Sequence, residues 1–176
     1  KASHASGGSA GNSMIAAAQF GGPTFMSCKV ANDSDGDIYI ADMEAAGVDH
    51  CLTGEREEGT TGKCLVLISP DAERSMNTNL SISETLSEEQ LVPGAITQSE
   101  YLYIEGYLVT SPTGRAAAIK AKSIAEEAGV KTSISFSDPG MVEFFREGME
   151  EMVGDRVNLA FCNKAEALGW GQTDNL

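Results

Sequence analysis

The sequence predicts an α/β fold, a mostly parallel sheet covered by helices with one hairpin standing apart from it. Three observations carry this. Strand-length apolar runs alternate with helix-length segments; the helix-length segments repeat apolar residues at helical spacing; and glycine, proline and aspartate punctuate the joints. In such folds ligands bind outside the carboxyl ends of the strands.

Glycines open the chain at Gly7 and Gly8, and NSMIAAAQF, Asn12 to Phe20, forms a first helix that Gly21 and Gly22 stop. Thr24 to Val30 reads as a strand. Asp35 to Ala46 reads as a second helix with Ile38, Ala41 and Ala45 on its buried stripe and Gly47 just past its end. KCLVLIS and RSMNTNL, joined by SPDAE, form a β-hairpin turned by Pro70 and Asp71; its second run is too polar for a core strand, so it leans out as a flap. Then follow a strand at Tyr101 to Ile104, a helix at Pro112 to Ala128, a strand at Lys131 to Phe136, a helix at about Met141 to Val153 and a strand at Val157 to Cys162. Ser111 caps the first of these helices, Pro112 takes its first position, and Ala117, Ala121, Ile124 and Ala128 form its stripe; Val142, Phe145, Met149 and Met152 do the same in the next. Asn163 lies just past a strand end and Glu166 three residues on, at the start of a further helix. No linker long enough to separate two independent domains is present.

Twenty-six acidic against twelve basic side chains give a net charge of -14, which repels nucleic-acid phosphates and anionic lipid. A nucleotide can still bind where a helix N-terminus, magnesium or a local cation outweighs the global field. No apolar run reaches the ~18 residues that span a bilayer, so the chain is expected to be soluble. Cys28, Cys51, Cys64 and Cys162 lack CxxC spacing and fit buried or loop thiols in a reducing cytoplasm; His50 beside Cys51 is a poor half of a zinc site. Lys1 in place of methionine, with no targeting pattern after it, gives the expectation of a piece of a larger domain.

Three familiar motifs fail on spacing. In GTTGKC the first glycine of a Walker loop is replaced by Glu57. A calcium loop placed on NDSDGD would begin at Ala31, which offers no ligand, so this run caps the helix that follows. No serine nucleophile elbow occurs.

GGSAGNS, DGDIYIADMEAAGVD, EGTTGKCLVLISPDAERSMNTNL, YIEGYLVTSP, SFSDPG and FCNKAEA occur in an order that resembles the ribokinase-like, or PfkB, family of carbohydrate kinases, most closely its adenosine kinase-like branch. The resemblance implies part of a three-layer α/β/α sandwich across residues 1–176, with a β-hairpin lid at about residues 59–80. It implies transfer of the ATP γ-phosphoryl group to a primary hydroxyl of a nucleoside or sugar. Gly7, Gly8, Ser9 and Asn12 would hold the substrate hydroxyls and ring; Cys64, Met76 and Leu80 would cover it from the lid, with Leu108 or Tyr107 beside the base; Arg74 would lie near the transferred phosphate; Asn163 and Glu166 would organise Mg2+ and its waters. Each has a plain alternative: Asn12 a helix cap, Glu166 a first-turn carboxylate, Cys64 a core residue, Arg74 a solvated charge. Taken singly, Cys64, Met76 and Leu80 read as packing residues, whereas motif order favours function for Asn12, Asn163 and Glu166.

Two departures from the family pattern stand out. Neither the DTxGAGD stretch, which brings the catalytic aspartate and an anion hole, nor the first strand with its substrate-binding aspartate is present, so these 176 residues are expected to be inactive alone. Gly140 also stands where an aromatic ring brackets the base in animal adenosine kinases. A ribose or fructose kinase is therefore the alternative, and a non-catalytic sugar-binding remnant the rival of a different class.

Overall fold

The computed structural model describes residues 4–175 and is α/β throughout, with mostly parallel strand pairing. It divides into two compact units, Lys1–Leu86 and Ser87–Leu176. Among the described residues no helix is long and apolar enough to cross a membrane.

In the first unit α1 (Ser9–Gln19) leads to β1 (Thr24–Met26), and α2 (Ser34–Ala45) leads to β2 (Val48–His50), which pairs with β1 in parallel. The antiparallel hairpin of β3 (Lys63–Ile68) and β4 (Arg74–Asn79) follows. Helix α1 begins three residues before the expected Asn12, because Gly8, at φ +89°, turns the chain where a side chain would be strained. Strand β2 escapes sequence reading because three residues, VDH, show no periodicity.

The loop before α2 ties this unit together. Asp33 caps the helix by accepting the Gly36 N–H at 2.8 Å, as expected of the acidic run, but it also accepts the N–H and hydroxyl of Thr61 at 2.9 and 2.5 Å. The Thr61 hydroxyl oxygen accepts the Ala31 N–H at 3.0 Å, and Arg56 donates to the Ala31 carbonyl at 3.0 Å. A Cβ on Gly36 would lie 2.3 Å from that carbonyl and 2.6 Å from the guanidinium, so this face of α2 must turn inward. The helix consequently buries Gly36 and Met43, while Ile38, Ala41 and Ala45, the expected stripe, are exposed. All twelve strand residues of the hairpin are exposed. It is held at its base by the Lys63–Asp35 ion pair and turned by Pro70 and Asp71 as expected, with Ala72 at φ +68° closing the loop.

In the second unit α3 (Pro93–Thr97) precedes a parallel sheet of order β5-β6-β7, formed by Tyr101–Glu105, Lys131–Ser135 and Leu159–Phe161. Helix α4 (Pro112–Glu127) crosses between β5 and β6, capped by Ser111, whose hydroxyl accepts the Gly114 N–H at 3.2 Å. Its stripe runs through Gly114, Ala117, Ala118, Ala121 and Ala125; Ile124 is only half-buried and Ala128 is exposed past the helix end. Small side chains let the helix lie close to the sheet.

The expected helix at 141–153 is two, α5 (Pro139–Phe144) and α6 (Arg146–Val153), broken at Phe145, where neither glycine nor proline marks the joint. Val142, Met149 and Met152 are buried as expected, but Phe145 is exposed because the break turns it outward. The sheet ends in α7 (Lys164–Gly171). Ile104, Val109, Ala118, Ile134 and Phe136 join the two methionines in the main core, with Trp170 packed on Phe136 at 4.8 Å between ring centroids.

The Thr61 hydroxyl, then the Thr61 and Gly36 amides, hold the Asp33 carboxyl down at about 2, against an ordinary 3.8. Its contribution to stability is therefore complete above about pH 4 and is lost as pH falls toward 2. Asp33→Asn is expected to lower the melting temperature at pH 7 and to flatten its fall across that window; melting curves from pH 6 to pH 2 with the wild-type slope retained would show that the charge does not matter here.

Candidate functional site

The glycine loop of the first unit presents backbone and amide groups to solvent. Gly7, Gly8 and Ser9 are exposed, and a Cβ on Gly7 would meet nothing within 4 Å. Asn12 is exposed inside the first turn of α1, its N–H donating to the Gly8 carbonyl at 2.9 Å. A residue in that position is no cap, so its side-chain amide is available to a ligand.

The hairpin register decides which of its residues share a face. Cys64 pairs with Thr78, Val66 with Met76 and Ile68 with Arg74, so alternation puts Cys64, Arg74 and Met76 on one face with Val66, Ile68 and Thr78. Leu80, two residues beyond Thr78 and 45% exposed, follows the strand. Cys64 is exposed and accepts the Thr78 hydroxyl at 3.4 Å, which sets aside the core reading of that thiol. Among the described residues Arg74 forms no ion pair.

In the second unit the carboxyl ends of the parallel strands gather its polar chemistry. The register places Glu105, Ser135 and Phe161 level with one another. Beyond them, Asn163 and Glu166 form a reciprocal capping box: Asn163 Oδ1 accepts the Glu166 N–H at 2.9 Å, and the Glu166 carboxylate accepts the Asn163 N–H at 3.0 Å and Nδ2–H at 2.7 Å. Glu166 is 5% exposed. The structural reading of this pair thus has a geometry.

Sequence reading missed Glu105. It is 8% exposed, accepts the Tyr103 hydroxyl at 3.2 Å and also accepts the Ser137 hydroxyl. Gly106 is obligatory beside it, since a Cβ would lie 2.3 Å from the Ser135 carbonyl oxygen. The signal was present as a charged residue closing an apolar strand just before a glycine. Tyr107 stands half out of this cluster, and burial, then the charges of Asp138, Glu105 and Glu166, raise its pKa. Leu108 instead packs against the core. Among the described residues neither Glu105 nor Glu166 has a lysine, arginine or histidine partner. No group of three acidic, cysteine or histidine side chains there is placed to grip a metal directly. An ion organised through water by Asn163 and Glu166 is compatible with this donor set, because each carboxylate oxygen has a second lone pair and hard divalent cations favour oxygen ligands. Two cavities of this unit, about 420 and 330 Å3, are lined by other residues, including Arg146 and Glu143 in both.

A parallel sheet with buried carboxyl side chains at its carboxyl ends, and a solvent-facing glycine loop and exposed hairpin in the preceding unit, define the chain as an α/β protein. Residues 1–175 match the pfkB family carbohydrate kinases, and the chain belongs to that family. Adenosine kinase from Sinorhizobium meliloti is 34% identical and superimposes with a TM-score of 0.92, covering 99% of this chain and 54% of that one. Mouse ribokinase is 25% identical over 161 residues, 92% of this chain and 47% of the relative, and adenosine kinase from Schizophyllum commune is 26% identical over 145 residues, 80% and 41% respectively. The chain therefore spans about half the length of the curated relatives it matches, and its fold is the matching part of a ribokinase-like fold.

The caps separate two asparagines. Asn163→Ala is expected to cost about 1 kcal/mol by removing half of a capping box, whereas Asn12→Ala should change stability by no more than about 0.5 kcal/mol. Urea unfolding of both variants is the measurement, and a loss at Asn12 equal to that at Asn163 would give its side chain a structural role.

Proposed function

We propose that this chain is the substrate-side portion of an ATP-dependent kinase that phosphorylates a primary hydroxyl of a nucleoside, with adenosine as the type. The observation that carries the kinase reading is membership of the pfkB family along residues 1–175. In this reading Gly7, Gly8, Ser9 and Asn12 bind the sugar hydroxyls, Cys64, Met76 and Leu80 cover the ligand from the lid, and Arg74 offsets charge on the moving phosphoryl group. In this reading the base lies beside Tyr107 or Leu108, and the exposure of Tyr107, where Leu108 packs against the core, supports the former. Mg2+ would be held through water by Asn163 and Glu166, where it would offset the negative charge of ATP; Glu105 holds Ser137 and so shapes the loop beside that pair.

The nucleoside reading rests on apolar surface. Met76 is 61% exposed and Val66 and Ile68 share its face, a lid better suited to a base than to a bare hydrated sugar. Gly140 removes one ring, but Phe144, 75% exposed, lies 3.6 Å from where a Gly140 Cβ would stand. Mouse ribokinase among the relatives keeps ribose as the second reading.

Thermal shift of the full-length protein separates them. Adenosine at ~100 times its Kd is expected to stabilise the fold by about 2.7 kcal/mol, and Asn12→Ala to abolish the shift while leaving the unliganded melting temperature in place. A shift with ribose or fructose and none with adenosine overturns the nucleoside assignment and leaves the kinase reading standing.

The 176 residues contain no DTxGAGD stretch. We therefore expect the isolated chain to release no ADP above background with adenosine, ribose or fructose, since losing even one anion-hole donor costs about 2.7 to 4 kcal/mol. Steady turnover in a coupled assay, free of host kinase, would mean that groups within these residues perform the chemistry.

A further inference from the structure

Two of the four cysteines are paired by the fold. Cys28 and Cys51 lie just beyond the carboxyl ends of β1 and β2, brought together by the parallel register that matches Met26 to His50. The Cys51 sulfur accepts the Cys28 N–H at 3.3 Å and donates to the Cys28 carbonyl at 3.2 Å, so it sits against the residue that carries the second thiol. Twenty-three residues separate them in sequence, so only the tertiary structure creates the pair. Their surroundings differ. Cys28 is 7% exposed, whereas Cys51 is only half-buried. Cys64 and Cys162 are exposed and stand outside this arrangement.

We propose that Cys28 and Cys51 form a peroxide-oxidisable thiol pair, a modification site that closes to an intrachain disulfide with Cys51 as the attacking sulfur and Cys28 as the resolving one. The interaction with Cys28 holds the Cys51 thiol down at about 7, and that same interaction, then burial, pushes the Cys28 thiol up, so the roles are assigned in the same sense as access assigns them. The Cys51 thiolate attacks one oxygen of hydrogen peroxide; the O–O bond breaks, water leaves after protonation, and a sulfenic acid remains. The Cys28 sulfur then attacks Cys51, the S–S bond forms, the S–O bond breaks, and the hydroxide departs as water with the Cys28 proton. Two thiols have lost two electrons and two protons, and one peroxide has become two waters. The bond would link the ends of β1 and β2 beside Tyr39 of α2, whose hydroxyl lies against Gly11 in the first turn of α1.

The test does not depend on kinase activity. The protein at pH 7 is treated with hydrogen peroxide, quenched with catalase, alkylated with N-ethylmaleimide and digested without reduction for mass spectrometry. Cys28 and Cys51 should leave the alkylated pool together, roughly tenfold faster than Cys64 or Cys162, with a linked peptide two hydrogens lighter that dithiothreitol reverses. Cys28→Ser should oxidise at Cys51 without forming any intrachain link. Oxidation of Cys51 in the wild type at the rate of Cys64, or without a Cys28–Cys51 peptide, overturns the proposal.

Discussion

One carboxylate, Asp33, holds the first unit in its shape. It joins the start of α2, through the Gly36 amide, to the segment that feeds the hairpin, through both donors of Thr61, and Thr61 returns to the backbone at Ala31. Arg56, donating to the Ala31 carbonyl and pairing with Asp37 at 2.5 Å, completes the loop. Two apparently unrelated features follow from it. The rotation of α2 is set by the need to bring Gly36 against Ala31, and the hairpin base is fixed although no strand residue of the hairpin is buried. A two-stranded hairpin alone is marginal in water, so anchoring at its base does what a core would otherwise do.

The second unit is organised by its parallel sheet. Parallel pairing brings every strand to the same end, and there the side chains are those a hydrophobic core excludes: Glu105, Asp138, Asn163 and Glu166. Burying Glu105 and Glu166 without a basic partner is costly unless hydrogen bonds compensate. Tyr103 and Ser137 supply them for Glu105, and the Asn163 backbone and amide supply them for Glu166. At the other end of α7 Arg146 donates to the Gly169 and Trp170 carbonyls at 3.1 and 2.9 Å, so the helix that carries the capping box is held at both ends.

Motif order reads through to the fold because each motif is a local solution to a local problem. A glycine that turns the chain into a helix, an aspartate that caps one, and a proline and aspartate that turn a hairpin work over three or four residues and appear where sequence reading put them. Grouping Cys64, Arg74 and Met76 on one hairpin face needs only strand alternation and a turn length, both legible in SPDAE and its flanks.

Apart from β2 and the break at Phe145, the order of the main strands and helices, the hairpin, the capping residues and the family were legible in the sequence alone, since they rest on periodicity, short-range hydrogen bonding and motif order. Tertiary structure decided what depends on contacts between distant segments. Ile38, Ala41 and Ala45 face solvent because Gly36 must approach Ala31, a backbone contact that no hydrophobic pattern encodes. Glu105 became part of the strand-end cluster only when β6 brought Ser137 beside it, and the thiols of Cys28 and Cys51 met only when β2 paired with β1. A hydrophobic stripe reports that a helix is buried on one face; which face is settled by the atoms it meets.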